Sequence, residues 1–585
     1  MSIARKATGI GASAGIAVGK AFVLPSLEWD VPDHRIGVED LAAEFERLYE
    51  GIRHSKQEIH LIKQEISGYI GESESNIFDA HLAILDDPVF MNEIQGIIRR
   101  HYKAAEVAVK EVMDKFVGMF DLLDDQYMKE RALDIKDVGN RLLKHLIGSP
   151  EVKMPADNRP FVLVAKEVSP SQLAHLNPTN VLGIAMMAGG GTSHAAIMAR
   201  AMNIPMVVGL EGKLPAPVET GDTLVINGKT GEVYINPPDD TVSRHLKLRE
   251  KELEARERLF SLADLPAVTK DGVRTHLFVN IASLKELEGA LSSGAEGVGL
   301  FRTEFIYMDR DTYPSEEEQF VIYRQAAQML AGKPLTIRTL DVGGDKKLDY
   351  LELPEEENPV LGLRSIRISL VHQEPFLTQL RAIVRASAYG KVRVMFPMVS
   401  SVEQLHAAKA ILSRAMNELR EEGHPFDERL QIGIMIEVPA AALISDLLAQ
   451  EVDFFSIGTN DLTQYVLAAD RMNEHIASHY EPFHPAVLRL ISQAVASARQ
   501  AGVSVSVCGE MAGDPLALPV WLGLGVRDLS MAGGLMLPLK NRLLRATYEE
   551  SARLLERIMS MRSAADIRQA LGAYDKSLEE SPEDE

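Results

Sequence analysis

Eight short apolar runs, each followed by a stretch of helical periodicity, occupy the chain from about residue 265 onward: 277–281, 297–301, 335–340, 392–399, 432–438, 454–457, 503–507 and 528–530. Strands separated by helices pair in parallel, and eight such units predict a closed, TIM-like (β/α)8 barrel over residues 265–575. Functional side chains in that architecture stand at the C-terminal ends of the strands. Read in order, those positions are Asn280, Arg302 and Glu304, Arg338 and Asp341, Pro397 and Met398, Glu437, Asn460 and Asp461, then Cys508 and Glu510. Arg302 and Arg338 offer planar forks that match phosphate or carboxylate. Glu437 and Asp461 offer hard oxygen ligands suited to a magnesium ion that keeps waters and substrate oxygens. Such a rim is expected to take a small, doubly anionic phosphorylated acid.

The first 236 residues read differently, so the fold class is α/β and multidomain. Strand-like runs at 15–24, 161–165, 181–185 and 224–228 fall in two segments, 1–30 and 147–236, which predict a single α/β domain. Between them, residues 31–146 place Leu41, Phe45, Leu48, Ile52, Ile59 and Ile62 at helical spacing, which predicts a helical insertion. Within the second segment, Gly189-Gly190-Gly191-Thr192-Ser193-His194 forms a glycine-rich turn leading into a helix. Thr192 or Ser193 is placed to cap that helix, and its first amides favour an anion nearby. His194 is therefore a candidate for phosphorylation. Residues 237–264 read as a highly charged helical linker with a sparse apolar stripe, and 576–585 as an acidic tail.

Composition excludes several function classes. A formal net charge of −22 counts against binding a phosphate backbone, which needs clustered Lys and Arg, so no nucleic-acid partner is expected. An acidic protein is instead suited to docking a basic partner. No apolar run approaches the ~20 residues needed to span a bilayer, so no membrane insertion is expected. Cys508 is the sole cysteine, which rules out an internal disulfide and suits the reducing cytoplasm.

The stretch Asp453-Phe454-Phe455-Ser456-Ile457-Gly458-Thr459-Asn460-Asp461-Leu462-Thr463-Gln464-Tyr465, together with the histidine motif, resembles enzyme I of the bacterial sugar phosphotransferase system, the phosphoenolpyruvate-protein phosphotransferase family. Gly299-Leu300-Phe301-Arg302-Thr303-Glu304-Phe305, Ile337-Arg338-Thr339-Leu340-Asp341-Val342-Gly343-Gly344-Asp345-Lys346, Gly362-Leu363-Arg364-Ser365-Ile366-Arg367 and Val507-Cys508-Gly509-Glu510 extend the resemblance over nearly the whole chain.

The resemblance implies a phosphohistidine relay. Phosphoenolpyruvate and magnesium would bind in the barrel, His194 would take the phosphoryl group, and pyruvate would leave. A histidine of the small carrier HPr would then receive the group. By the same resemblance Arg302, Arg338, Lys346, Arg364, Asn460 and Arg471 bind substrate, Glu437 and Asp461 hold the metal, and Ser169 and Thr192 orient. Cys508 would protonate the enolate, a role that needs a thiol kept neutral by apolar surroundings. Phe78, His81, Leu85 and Arg131 of the helical insertion would dock HPr. A homodimer through the barrel is also implied.

Two positions depart from the family pattern: Gly191 where arginine is common, and Met472 where glycine is frequent. The segment 532–540 departs as well. Gly9-Ile10-Gly11-Ala12-Ser13-Ala14 imitates a dinucleotide fingerprint, but no adequate strand precedes it and no helix follows directly. Pyruvate phosphate dikinase and phosphoenolpyruvate synthase share the histidine motif and barrel, yet they need a nucleotide-binding region for which the chain has no motif. A nitrogen-related relay paralogue, and a regulator that binds without turnover, remain rival readings.

Overall fold

The computed structural model describes residues 5–25, 31–66, 77–121, 126–148, 159–168, 172–173, 180–191, 193–308, 310, 312–344, 348, 350–351, 354, 356–471, 473 and 475–579. The chain divides into two compact units, Met1–Glu254 and Ala255–Glu585.

The first unit carries a mixed sheet of β1 (Arg5–Thr8), β2 (Ile10–Ser13), β3 (Ile16–Val23), β4 (Phe161–Ala165), β5 (Val181–Met186), β6 (Met206–Val208), β7 (Thr223–Asn227) and β8 (Glu232–Ile235). Their spatial order is β1-β8-β7-β3-β4-β5-β6-β2. Strands β3 to β6 run parallel, and β4 is buried throughout, which explains its unbroken Phe-Val-Leu-Val-Ala run. The glycine-rich segment after β1 corrects one expectation, because a strand does precede it. A Cβ on Gly9 would lie 2.4 Å from the Val208 carbonyl oxygen, and one on Gly11 would lie 2.3 Å from that of Gly228. Those glycines serve close strand approach, and β2 pairs antiparallel with β6, unlike a nucleotide-binding βαβ unit.

Among the described residues, five α-helices lie between β3 and β4: α1 (Leu41–Ile66), α2 (Ile77–Asp86), α3 (Pro88–His101), α4 (Ala105–Asp121) and α5 (Gln126–Ile147). Leu48, Ile52, Ile59 and Ile62 of α1 are buried at helical spacing and join Ile94, Val109, Val138 and Leu142 in one core. The start of α3 is fixed by Asp87, whose carboxylate accepts the Val89 and Phe90 amides at 2.7 and 2.9 Å ahead of Pro88. Between β5 and β6 comes α6 (His194–Ala201), and after β8 α7 (Asp239–Ser261) ends the unit and continues into the next. Near the start of α7, His245 is buried against the Tyr234 ring with centroids 5.2 Å apart.

The second unit holds β9 (His276–Ile281), β10 (Val298–Arg302), β11 (Pro334–Arg338), β12 (Lys391–Phe396), β13 (Gln431–Ile436), β14 (Phe454–Ile457), β15 (Ser504–Val507) and β16 (Asp528–Met531). They close into a barrel in sequence order with every pair parallel, as the alternation predicts. Three runs end earlier than expected: β11 stops at Arg338, β12 at Phe396 and β13 at Ile436. The residues beyond them leave the ladder and turn into the rim. The divergent 532–540 segment lies in a helix, Gly533–Arg545, whose buried Lys540 donates to the Ala263 carbonyl at 2.8 Å. Among the described residues, no helix is long and apolar enough to cross a membrane.

Candidate active site

The rim at the C-terminal ends of the barrel strands gathers alternating charges. Arg338 closes β11 with Nη2 2.7 Å from Glu304 Oε1 and Nη1 2.9 Å from Asp341 Oδ2. Arg364 reaches the same carboxylate, with Nη2 3.3 Å from Asp341 Oδ1, and its Nη1 stands 3.8 Å from Asp461 Oδ1. Ser365 also donates to Asp341. Burial works against the charge of both arginines, but Asp341 with Glu304 for Arg338, and Asp341 with Asp461 for Arg364, hold each guanidinium above its ordinary range. Arg302, at the end of β10, lies over the Phe305 ring at 5.2 Å. The Nε atoms of Arg302, Arg338 and Arg364 are all buried and find no hydrogen-bond partner among the described residues. Each such orphan donor costs roughly 1–3 kcal/mol until something accepts from it.

Glu437 follows β13 and is buried, with Oε1 accepting the Met398 amide at 2.6 Å. Met398 holds φ at +54°, a left-handed conformation that turns its N–H onto this carboxylate. Burial, then the neighbouring Asp461 and Asp341, pushes the Glu437 carboxyl up to about 8. A buried carboxylate crowded by two others is a site that a divalent cation relieves, so the donor set fits a hard metal ion. Among the described residues, no cluster of three or more His, Cys, Asp or Glu side chains is arranged to hold a metal alone. Two carboxylates plus waters and substrate oxygens meet the needs of magnesium.

Asn460 faces Glu510 through two bonds, its Nδ2 donating to Oε1 and its Oδ1 accepting the Glu510 amide, both at 2.9 Å. Arg471 is half-buried, and its amide donates to Gln464 Oε1 at 3.1 Å. Cys508 lies under the rim among Leu300, Met395, Met435 and Phe454. Burial pushes its thiol up to about 12. Its carbonyl accepts from Asn280 Nδ2 at 2.9 Å, which ties β15 to β9 across the barrel.

Residues 8–131 match the family described as "PEP-utilising enzyme, N-terminal", residues 158–231 "PEP-utilising enzyme, mobile domain", and residues 256–548 "PEP-utilising enzyme, PEP-binding domain". The phosphoenolpyruvate-protein phosphotransferase of Geobacillus stearothermophilus is 43% identical over 559 residues, covering 96% of this chain and 96% of its own length. The chain belongs to the phosphoenolpyruvate-protein phosphotransferases, a family of enzymes. The phosphotransferases of the same name from Bacillus subtilis strain 168 and Listeria monocytogenes are 42% and 41% identical. They cover 96% and 98% of this chain and 98% and 100% of their own lengths.

The barrel thus brings Arg338, Arg364, Glu437 and Asp461 into one charged cluster, with Cys508 beneath it and Arg302, Asn460 and Arg471 at the same rim. Lys346, Ser169, Thr192 and Met472 lie outside the described residues, as does the side chain of His194. The backbone places His194 at the first position of α6, after Ser193, whose hydroxyl accepts the Ala196 amide at 3.4 Å. Arg200 Nη1 donates to the Gly191 and Ala12 carbonyls, both at 2.8 Å, and so ties the glycine turn to β2. A Cβ on Gly191 would meet Ile10 at an ordinary 3.7 Å, so packing does not demand glycine there.

The helical insertion corrects the expected docking side chains of the phosphotransferase fold. Phe78, His81 and Leu85 are 0%, 0% and 2% exposed, on the face of α2 that joins the interior. The His81 ring stands 3.4 Å from Asp134 and 3.8 Å from Asp137 of α5, so it is an internal hydrogen-bonding group. None of the three offers surface to a partner in this conformation. Arg131 is half-buried on α5. Two groups at the rim have no part in the strand-end reading: Ser365, and Tyr465, whose hydroxyl accepts from Arg364 Nη1 at 3.0 Å. The signal for Tyr465 is its place four residues after Asp461 on one helix.

Proposed function

We propose that the chain transfers the phosphoryl group of phosphoenolpyruvate to its own His194, releasing pyruvate, and then passes it to a histidine of an HPr-type phosphocarrier. The single observation that best supports this is the trio of buried, partnerless Nε–H donors on Arg302, Arg338 and Arg364. They suit the oxygens of a phosphate and a carboxylate on one small molecule. Lys346, Asn460 and Arg471 complete the substrate contacts.

An imidazole nitrogen of His194 attacks phosphorus as the bond to the enol oxygen breaks, so the electron pair of that bond stays on the enolate. Little covalent work falls to the protein in such a transfer, and the arginines act by positioning and by stabilising charge. Glu437 and Asp461 are the residues that would hold Mg2+, which supplies Lewis-acid neutralisation of charge on phosphate and enolate oxygens when bound. The Cys508 thiol, still protonated at neutral pH, gives its proton to the enolate carbon to make pyruvate. His194 must visit both the barrel rim and the carrier, which calls for a domain motion.

Residues 31–146 serve as the carrier-docking insertion in this proposal, with Arg131 among the candidates, and contact comes from their exposed faces rather than from Phe78, His81 and Leu85. Residues 1–30 and 147–236 form the phosphohistidine domain, 237–264 the linker, and 265–575 the substrate and dimer domain, with 576–585 as an acidic tail. A homodimer working in the cytoplasm completes the reading.

The test is incubation with phosphoenolpyruvate and Mg2+, followed by intact mass measurement. One acid-labile phosphoryl group is expected on the native chain, and none on His194→Ala or with EDTA. Labelling that survives His194→Ala would refute the nucleophile assignment.

A further inference from the structure

Arg364 divides its fork between a carboxylate and a phenol. Nη2 donates to Asp341 at 3.3 Å, while Nη1 donates at 3.0 Å to the Tyr465 hydroxyl, which itself donates to the Val360 carbonyl at 2.7 Å. A hydroxyl that accepts from a cation and donates onward strengthens both bonds. Tyr465 follows Asp461 by four residues on the Thr459–Leu467 helix, so both side chains share the face that meets Arg364.

The other end of this link is a firm turn. Leu361 and Gly362 amides donate to the Asn358 and Pro359 carbonyls at 2.9 and 3.2 Å. The Glu356 carboxylate accepts the Leu363 amide at 3.0 and 3.1 Å, and Arg367 Nη1 donates to the Leu361 and Gly362 carbonyls at 2.7 and 2.8 Å. Gly344 (φ +72°) leaves a built Cβ only 3.6 Å from Val360 Cα, in ordinary contact beneath the turn. Tyr465 therefore connects a rigid turn to a substrate-binding guanidinium. Without its hydroxyl, Nη1 is left with the Asp461 carboxylate at 3.8 Å, and the fork is drawn toward a proposed metal ligand.

We propose that Tyr465 is a positioning residue for substrate recognition, holding Arg364 against the Val360 turn so that its free Nε–H faces the bound anion instead of collapsing onto Asp461. This rests on the functional reading above. The experiment is single-turnover phosphorylation of the full-length chain by phosphoenolpyruvate and Mg2+, comparing native protein, Tyr465→Phe, Arg364→Lys and the double variant. Each yields a half-saturating concentration, a maximal rate and a final stoichiometry.

Tyr465→Phe is expected to raise the half-saturating concentration on the order of tenfold, the effect of one hydrogen bond to a charged group, with stoichiometry intact. The double variant should resemble Arg364→Lys alone, since the two act through one contact. An unchanged half-saturating concentration, additive losses, or a fall in stoichiometry with half-saturation unmoved would overturn the positioning role. If the native chain takes no label, the functional reading falls and this role with it. A labelled native chain with an indifferent Tyr465→Phe overturns the role alone.

Discussion

Cys508 is the only thiol in the chain, so its chemistry is read without ambiguity by alkylation with iodoacetamide at a series of pH values. Burial raises it from 9.0 to about 12, which lowers the thiolate population at pH 8 by roughly a thousandfold against an unfolded chain. A more basic thiolate is a better nucleophile, and a Brønsted slope of about 0.4–0.5 returns some 15- to 30-fold of that loss. The folded protein should therefore react at least ~30-fold more slowly than the urea-unfolded one, and burial of the sulfur can only widen the gap. Its rate should climb about tenfold per pH unit through pH 10 without a plateau, whereas the unfolded chain levels off near 9. The sign for stability follows: the neutral thiol's contribution is whole below pH 9 and is lost as pH rises from 9 toward 12. Alkylation of the folded chain within threefold of the unfolded rate, or a plateau below pH 9.5, would refute the assignment of a neutral, proton-donating thiol.

Two further outcomes probe the fold around the site. Arg338→Met takes from the buried Glu304 and Asp341 the guanidinium 2.7 and 2.9 Å away, while Asp341 keeps Arg364, so a loss of about 3–5 kcal/mol is expected, seen as a melting point lower by roughly 4–7 °C at pH 8. The deficit should shrink toward pH 5, because a buried carboxyl that has lost Arg338 then holds a proton in the folded state; a deficit that stays constant with pH would count against it. Asp87→Ala removes the acceptor of two amides at the start of α3, and a loss of about 1 kcal/mol in the urea stability of the helical insertion is expected, with phosphoenolpyruvate-dependent labelling preserved.

What the sequence discloses follows from how each segment is buried. The barrel strands are legible because both faces are covered, so Phe454-Phe455-Ser456-Ile457 is apolar nearly throughout and buried at every position. Strand β1 is not legible: Arg5-Lys6-Ala7-Thr8 lies at a sheet edge with only Ala7 buried, and it reads as a polar tail. The α2 sequence Ile-Phe-Asp-Ala-His-Leu-Ala-Ile-Leu-Asp is apolar on more than one side, so its period does not tell which face is inward, and the residues expected to meet a partner turned out to be core. The rim arginines and carboxylates are readable because strand ends in a barrel converge. Tyr465 and Ser365 are not: Tyr465 meets the Val360 carbonyl on a turn whose path depends on Glu356 and Arg367, and Ser365 reaches Asp341 from the segment just after that turn.

The helix α7 carries the boundary between the two units within its own length, and among its described residues only His245 is buried. A charged helix with only a sparse apolar stripe gains little from packing, so its persistence rests on intrinsic propensity and on local charge interactions, both weak per residue and the latter screened by salt. Ionic strength therefore becomes a control on this element: in concentrated electrolyte the middle of the rod should fray while the barrel, held by apolar burial, stays indifferent.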